Sequence, residues 1–434
     1  SHGVAGLARL HELVGEFAET PAEVYVGVET DRGLLVSSLT AAGYKVIAVN
    51  PRAVDRYRDR HSLSGAKSDA GDAMVLAEMV RTDRHHHRPV AGDSEEVGGL
   101  KMVARAHQNL IWARTRHVLQ LRNVLLEYYP AIVAAADGKV GSRDALAVLA
   151  AASEPTQGAR LTDARVVSIL RRAGRERYLK QTANRFVEHL RAEHLEASPS
   201  ITSACAATAR ALVNVIRAFD TEITKLEDEL TERFDSHNDA AIIRTMPGLG
   251  TILGARLLAE FGDDPDRYTS TSARRNYAGT SPITRASGKS KAVLARFIRN
   301  RRLADACDRW AFASLSSSPG ARRYYDELRA AGKTHGQALR ALSNRLVGIF
   351  HGCLDHRCAY AETTAWQRYQ PAAALHLTAL GCLRACGRCW FGCLRSGWWV
   401  WPSGSGSRSP SPPTASGRCV ACLLYTSPSP RDFC

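Results

Sequence analysis

Long apolar runs are missing from this sequence. Nowhere do about 18 uncharged apolar residues follow one another, the length that a helix needs to cross a bilayer. The first residues, SHGVAGLARLHELVGEF, also lack the basic start and apolar stretch of a signal peptide, so we expect a cytoplasmic protein with no membrane partner. A glycine-rich loop that would cradle a phosphate is absent too, which disfavours an α/β metabolic enzyme.

Lysine is scarce, and the charge is carried by arginine. Only nine of the 58 basic residues are lysine, and the formal net charge is +15 at pH 7. The guanidinium fork matches phosphate oxygens, so this excess favours a polyanionic partner, nucleic acid first. With 434 residues that are 45% hydrophobic, the chain can bury more than one core, and two to three domains are expected.

The last sixty residues differ in composition from the rest. From Leu375 onward there is no Lys or Glu, while seven of the eleven cysteines occur there. The end, CLLYTSPSPRD, is similar to the translation of a common sequencing adapter, so we expect residues 375–434 to be a frame-shifted, disordered tail. Without it the chain has 52 basic and 42 acidic residues, a net charge of +10. Four tail cysteines have a spacing that could bind zinc, but chance explains them better: Cys382, Cys386, Cys389 and Cys393.

Residues 1–92 have the pattern of an α/β unit. The run VYVGVE predicts a buried strand that ends at Glu29, and a helix closed by Gly43 follows it. A second strand in YKVIAVNP is stopped by Pro51. A strand, a helix and a strand in this order imply a parallel sheet.

Three carboxylates in this unit form a candidate metal site. A predicted helix from about Ser68 to Val80 has Asp69 and Asp72 on one face, and Glu29 ends a strand, where active sites of open α/β sheets gather. Converging carboxylates need a cation between them, and their hard oxygens suit Mg²⁺. Two such ions can clamp the attacking and leaving oxygens of phosphoryl transfer. Spacing alone is weak evidence, because such a pair is more often a surface feature.

Residues 93–238 are predicted to be helical. VARAHQNLIWARTRHVLQLRNVLLEYYP has apolar residues three and four apart and stops at Pro130. ATARALVNVIRAFDTEITKLEDELTERF is longer than an ordinary globular helix and resembles a two-helix or coiled-coil arm.

Residues 239–374 combine a glycine turn with the densest basic region of the chain. IIRTMPGLGTILGARLLAEFG places Gly248 and Gly250 between two apolar helices, the form of a helix-hairpin-helix that would approach a DNA phosphate, although a purely structural turn is also possible. Downstream basic residues favour a phosphate track over a merely solvated face: Arg274, Arg275, Arg285, Lys289, Lys291, Arg296, Arg299, Arg301 and Arg302.

Two of these motifs together resemble one family. VYVGVETDRG followed forty residues after Glu29 by KSDAGDA is similar to part of the DEDD motif of IS110 family transposases. MPGLGTILGARLLAEFG, YAGTSPITRASGKSKA and RFIRNRRL are similar to the C-terminal transposase domain of that family. The two matches occur in the family's domain order and span about residues 1–374.

The resemblance implies a fold and an activity. It implies an RNase H-like (RuvC-like) α/β domain whose carboxylates Glu29, Asp69 and Asp72 bind Mg²⁺, a coiled-coil arm for homo-oligomerisation, and a mainly α C-terminal domain. It also implies that Ser287, in RASGK, is the nucleophile of DNA cleavage and exchange, and that a guide (bridge) RNA selects the target. Without the resemblance, a loop serine in a basic segment is the simpler interpretation of Ser287.

The chain also departs from the family. The family's first aspartate lies on a strand well upstream of the glutamate, whereas only 28 residues precede Glu29 here. Those residues predict a helix and contain no strand that ends in Asp. We therefore expect an incomplete first domain, and a chain that is inactive as a fragment because three carboxylates would bind Mg²⁺ poorly.

Two other functions remain open. A RuvC-like junction nuclease would use the carboxylates and would not need Ser287. A non-catalytic DNA- or RNA-binding protein would use the glycine turn and the basic track, and its binding would depend on salt but not on Mg²⁺.

Overall fold

A computed structural model describes residues 3–61, 68–90 and 92–367. The tail and its cysteines, for which a frame shift was predicted, lie outside the described residues. The chain divides into two compact units, the first running to Gly92 and the second beginning at Asp93. Within the described ranges, none of the helices has the length and apolar character needed to cross a membrane.

The first unit has a small mixed sheet. Strands β1 and β2 are parallel, with Val26 opposite Val46, which confirms the predicted strand, helix and strand. A short third strand pairs antiparallel to β2, and the sequence did not indicate it. The elements in chain order are α1 (Val4–Gly15), β1 (Tyr25–Val28), α2 (Leu34–Ala41), β2 (Lys45–Ala48), α3 (Pro51–His61), α4 (Asp69–Asp83) and β3 (Arg88–Pro89).

Helix α4 packs directly on β1, and Gly27 makes this possible. A Cβ atom at Gly27 would lie 2.9 Å from Val80 Cγ2, closer than real Cβ atoms approach, and 3.2 Å from the Leu76 carbonyl oxygen, which is also tight. Small apolar cores form around the sheet, one with α1 and α2 and one with α3 and α4. The helix that carries the two aspartates is therefore held against the strand that leads to Glu29.

The second unit is built on two long antiparallel helices, α5 (Glu95–Tyr128) and α11 (Pro199–Asp235). His107 Nε2 lies 3.3 Å from Glu227 Oε1, and seven residues further along α5 Arg114 Nη2 donates to Asp220 Oδ2 at 3.2 Å. Because Asp220 precedes Glu227 by seven residues, the two helices run in opposite directions. Two long helices agree with the predicted arm, while the coiled coil itself stays a prediction.

Five shorter helices between α5 and α11 form what we call the arm tip, residues 130–191. They have a core of their own, which includes Tyr128, Tyr129 and Phe186 and also takes in the end of α5 and the start of α11. The sequence pattern did not separate this subdomain from the arm. Its helices are α6 (Pro130–Ala135), α7 (Arg143–Ala151), α8 (Pro155–Ala159), α9 (Asp163–Arg172) and α10 (Leu179–Arg191).

The other ends of α5 and α11 join a second helical core around Phe261, Trp310 and Phe350. One exposed β-hairpin projects from this part of the unit. Its elements are α12 (Ala240–Thr245), α13 (Thr251–Phe261), α14 (Thr271–Ala278), β4 (Ile283–Ser287), β5 (Ser290–Leu294), α15 (Arg301–Ser317), α16 (Pro319–Ala330), α17 (His335–Asp355) and α18 (Glu362–Ala365).

Candidate functional site

The three predicted carboxylates differ in their surroundings. Ser68 caps α4, since its Oγ accepts a hydrogen bond from the Gly71 amide at 3.1 Å, and this fixes the start of the helix at Asp69. Asp69 is exposed, whereas Asp72 is only 3% exposed. Glu29 directly follows β1 and is half-buried.

A basic side chain already neutralises the buried carboxylate. Arg58 Nη2, from α3, donates a hydrogen bond to Asp72 Oδ1, and Arg58 Nη1 lies 3.2 Å from Asp55 Oδ1. The sequence did not single out Arg58, because a residue of α3 becomes a partner of α4 only when the two helices pack.

Oxygen donors of this type suit Mg²⁺, but their arrangement does not fit a bound metal. Among the described residues, no three His, Cys, Asp or Glu side chains come together in a group that could hold an ion. Asp72 accepts a hydrogen bond from Arg58 instead. The predicted set of Glu29, Asp69 and Asp72 is therefore not assembled as a metal centre in this structure.

Ser287 lies at the end of the exposed hairpin. It is the last residue of β4, it pairs with Ser290, and its side chain is exposed. Gly288 and Lys289 form the two-residue turn, in which Gly288 has a φ of +53° and Lys289 has no positive φ. A glycine at that first position is the usual requirement of a tight hairpin turn. The serine hydroxyl is thus presented beside a residue without a side chain.

Each face of the hairpin carries a different basic strand residue. Alternate residues of a strand share a face, so Arg285 lies on the face of Ser287. Lys291 pairs with Ala286 and lies on the opposite face. Arg285 is therefore the basic strand residue on the same face as Ser287, with Lys289 beside it in the turn.

The basic residues after the hairpin remain at or near the surface. Arg299 and Arg301 are exposed. Arg296 Nη2 donates to Asn276 Oδ1 at 3.2 Å. Arg302 Nη2 donates to Asn109 Oδ1 of α5 at 2.8 Å, and its guanidinium lies 5.0 Å from the centre of the Trp112 ring. Some side chains of the predicted phosphate track are therefore already hydrogen-bonded within the protein.

Arg274 and Arg275 do not lie on the surface that the sequence suggested. Arg274 is 7% exposed, and its guanidinium lies 4.6 Å from the ring centre of Tyr268 and 5.4 Å from that of Phe261. Burial lowers its pKa, as it does for the half-buried Arg275. Arg275 reaches the space beside Gly348 of α17. Both arginines lie on α14, and the packing of this helix on α17 buries Arg274 and partly buries Arg275.

The glycine turn serves packing at one position and stays open at the other. Gly248 has a φ of +75°, and a Cβ atom there would lie 2.6 Å from the Ser314 amide nitrogen of α15. Trp310 Nε1 donates to the Pro247 carbonyl at 2.9 Å, which holds the turn on that helix. Gly250 is exposed, and nothing lies within 4 Å of the position that a Cβ atom would take there. Only Gly250 keeps the open approach that was expected of both.

A buried carboxylate fixes the start of α15, just after the basic segment. Glu260 is 3% exposed and accepts hydrogen bonds from Arg105 Nε at 2.8 Å, Arg105 Nη2 at 2.9 Å and Asn300 Nδ2 at 2.7 Å. Asn300 Oδ1 in turn caps α15 by accepting from the Leu303 amide at 3.2 Å. Sequence reasoning missed this cluster, because Glu260 and Arg105 are 155 residues apart and no local pattern pairs them.

Two family matches cover much of the chain. Residues 4–130 match the transposase family named for the DEDD motif and IS110. Residues 240–326 match the family described as transposase IS116/IS110/IS902. The two matches contain Glu29, Asp69 and Asp72 in one case and Ser287 in the other.

Similarity to whole proteins extends over most of the chain. A protein of Streptomyces coelicolor, named as a putative transposase of the IS117 mini-circle, is 41% identical over 375 residues, which cover 86% of this chain and 91% of that protein. The 42 kDa protein of IS900 from Mycobacterium paratuberculosis is 32% identical over 76% of this chain and 82% of its own length. The 44.8 kDa protein of IS116 from Streptomyces clavuligerus is 31% identical over 74% and 79%.

Proposed function

Because this chain belongs to the IS116/IS110/IS902 family of insertion-element transposases, we propose that it cuts and joins DNA strands with Ser287 as the nucleophile. The observation that carries the proposal is the position of Ser287. Its hydroxyl is exposed at the end of β4, next to Gly288, with Arg285 on the same face of the hairpin. A DNA backbone can approach such a tip closely, since no larger side chain stands at Gly288.

The proposed step is a transesterification. Ser287 Oγ attacks the phosphorus and loses its proton, while the bond from phosphorus to one deoxyribose oxygen breaks and that oxygen takes a proton. Arg285 and Lys289 stabilise the charge that develops on the phosphate oxygens. The phosphoserine link keeps the energy of the phosphodiester, so strands can be rejoined without ATP.

We further propose that Glu29, Asp69 and Asp72 are the DEDD carboxylates of this chain. The family match to a DEDD domain points to dependence on a divalent metal. Mg²⁺ would supply charge neutralisation at the reacting phosphate when bound. Asp72 would have to leave Arg58 before it could serve as a ligand.

The partners follow from charge and from the family. DNA is the substrate of a transposase, and the exposed cations Arg285, Lys289, Lys291, Arg299 and Arg301 suit its phosphates. A guide RNA that supplies base-pairing specificity and a homo-oligomer formed through α5 and α11 both belong to this proposal. So do the domain limits 1–92, 93–238 and 239–374, and a helix-hairpin-helix at α12 and α13.

The experiment compares Ser287→Ala with Ser290→Ala. Ser290 is a matched control, because it faces Ser287 across the hairpin and is also exposed. Each protein is incubated with end-labelled DNA of its own element, the element's RNA and Mg²⁺, and covalent adducts are resolved on a denaturing gel. The incomplete first domain expected from the sequence would leave all three proteins inactive, so each is also prepared with the family's upstream strand and aspartate added. In that form we expect adduct formation by the parent chain and by Ser290→Ala, and none by Ser287→Ala.

Other outcomes favour the alternatives. Strand cleavage that persists in Ser287→Ala without an adduct would indicate a junction nuclease that relies on the carboxylates alone. Salt-sensitive binding without cleavage in all three proteins, unchanged by Mg²⁺, would indicate a non-catalytic nucleic-acid-binding protein.

A further inference from the structure

A basic cavity lies in the arm tip, far from the hairpin. Its volume is about 440 Å³, and it is lined by Arg143, Asp144, Gly174, Arg175, Glu176 and Arg177. The arm tip packs on the end of α5, whereas the core near the hairpin packs on its beginning. A helix of 34 residues is about 51 Å long, so the cavity and Ser287 belong to opposite ends of the unit.

The loop between α9 and α10 has a defined conformation at this cavity. Helix α9 ends in a Schellman motif, in which the Gly174 amide donates to Arg171 O at 2.9 Å and the Arg175 amide donates to Leu170 O at 3.0 Å. Gly174 has the positive φ, +82°, that this motif needs. The side chains that follow Gly174 are therefore presented from a fixed turn.

Arg175 is a structural member of the cavity. Its Nε donates to Asp144 Oδ2 at 2.7 Å, and its Nη1 donates to the Arg177 carbonyl at 3.2 Å. These bonds tie the loop to α7 and neutralise Asp144. Glu176 also lines the cavity, and no ion pair of Glu176 is seen among the described residues.

Arg143 and Arg177 differ from Arg175, because neither has an ion-pair partner within the part of the chain that the structure describes. Arg143 Nη1 lies 2.9 Å from the position that a Cβ of Gly174 would take, so the glycine leaves room for this guanidinium. Both side chains are exposed. Residues 171–180 contain five basic residues and one acidic residue, so the loop is strongly positive.

An aromatic side chain stands at the end of the same loop under backbone strain. Tyr178 is 73% exposed and has a φ of +56°. A bulky residue in the left-handed region is unusual, and such strain concentrates at functional sites. Exposed aromatic rings beside unpaired arginines are the usual elements of a surface that binds unpaired nucleotides.

We propose that the arm tip binds a single-stranded segment of nucleic acid, with one base stacked on Tyr178 and adjacent phosphates held by Arg143 and Arg177. Double-stranded nucleic acid fits less well, because its bases are already stacked on each other and offer no free face to Tyr178. Both single-stranded RNA and single-stranded DNA have the required chemistry. The site is independent of Ser287, so failure here leaves the proposed cleavage untouched, and the reverse holds too.

The test measures binding of fluorescent 20-nucleotide uridine and thymidine homopolymers and of a 20-base-pair DNA duplex, by anisotropy over a series of salt concentrations. The double variant Arg143→Gln, Arg177→Gln removes two phosphate contacts, so the slope of log K against log salt should fall by about 1.4 for the single strands. Tyr178→Ala should weaken single-strand binding about 5- to 100-fold, and Tyr178→Phe should retain it. Comparison of the uridine and thymidine homopolymers shows whether single-stranded RNA or single-stranded DNA is bound more tightly.

The control is Arg160→Gln. Arg160 is an exposed arginine of the arm tip, and the bond from Arg191 Nε to Ala159 O places it near the far end of α10 from Tyr178. That helix has 13 residues, so the separation is about 18 Å. Arg160→Gln should bind like the parent chain.

A folding defect is separated from a binding defect by Tyr178→Gly. Glycine accepts the positive φ, so this variant should melt no lower than the parent while losing single-strand binding. The proposal is overturned if the Arg143→Gln, Arg177→Gln double variant and Tyr178→Ala bind all three probes as Arg160→Gln does. It is also overturned if these variants weaken duplex binding as much as single-strand binding.

Discussion

Arg58 and Asp72 form an ion pair between α3 and α4, with the aspartate 3% exposed. The guanidinium occupies a position at a carboxylate for which the sequence predicted a metal ion. A buried carboxylate needs a positive partner, and in this structure the protein itself supplies it. Substituting Arg58 or Asp72 therefore tests whether Asp72 can bind a metal ion or serves only to pair with Arg58.

Arg58→Ala should make the first unit respond to divalent cations. The change leaves Asp72 buried without a partner, which we expect to cost about 3–5 kcal/mol of unfolding free energy. Mn²⁺ or Mg²⁺ should recover part of that loss by binding Asp72, so the melting temperature of this variant should rise with cation concentration more than that of the parent. Thermal melts over a cation series measure the difference.

The matched control for this prediction is Arg56→Ala, an exposed arginine of the same helix. It should respond to cations as the parent does. The double variant Arg58→Ala, Asp72→Asn should lose the extra response. An equal cation response in Arg58→Ala and Arg56→Ala would mean that Asp72 does not bind metal.

Gly27→Ala should loosen α4 from the sheet. The added methyl group would lie 2.9 Å from Val80 Cγ2 and 3.2 Å from a backbone oxygen, and the backbone cannot move aside as a side chain can. We expect a loss of about 1–3 kcal/mol, with faster hydrogen exchange in residues 69–83. Gly15→Ala is the control, because nothing lies within 4 Å of that position. Unchanged exchange in Gly27→Ala would contradict the packing.

Glu260→Gln should destabilise the second unit and change its dependence on pH. The substitution leaves Arg105 without its carboxylate and weakens the hold on Asn300, which we expect to cost about 3–5 kcal/mol. Glu229→Gln breaks an exposed pair with Arg233 and should cost about 0.5 kcal/mol or less. Urea unfolding curves compare the two.

The pH dependence has a definite sign. Burial alone would raise the pKa of Glu260, but the hydrogen bonds and charge of Arg105, together with Asn300, lower it below the ordinary 4.5. A lowered pKa in the folded state contributes stability that is complete above about pH 4.5 and is lost as the pH falls through the lower folded value. The parent should therefore lose stability more steeply in acid than Glu260→Gln, and parallel curves would exclude this role.

Local signals accounted for most elements of the first unit, and in the second unit for the long helices but not for how the helices pack. The run VYVGVE, the closing Gly43 and the cap at Ser68 act within a few residues, and the strands and helices predicted from them are present. The strand β3 has two residues in RHHHRPV and exists only because β2 offers an edge to it. The separate core of the arm tip was likewise not predicted. Its helices have the same apolar periodicity as the arm helices and differ only in which helices they pack against.

The sequence by itself determined the family and the two motifs, because each depends on residues that are adjacent in the chain, whereas the hairpin that presents Ser287 was not predicted from it. Only the tertiary structure decided which charges are available. Arg274 has the same type of side chain as Arg285, yet one is buried against aromatic rings and the other is exposed on a strand. Asp72 and Asp69 are three residues apart, yet only Asp72 is buried and paired with Arg58. Burial and pairing depend on which elements pack together, and residues distant in the chain decide that.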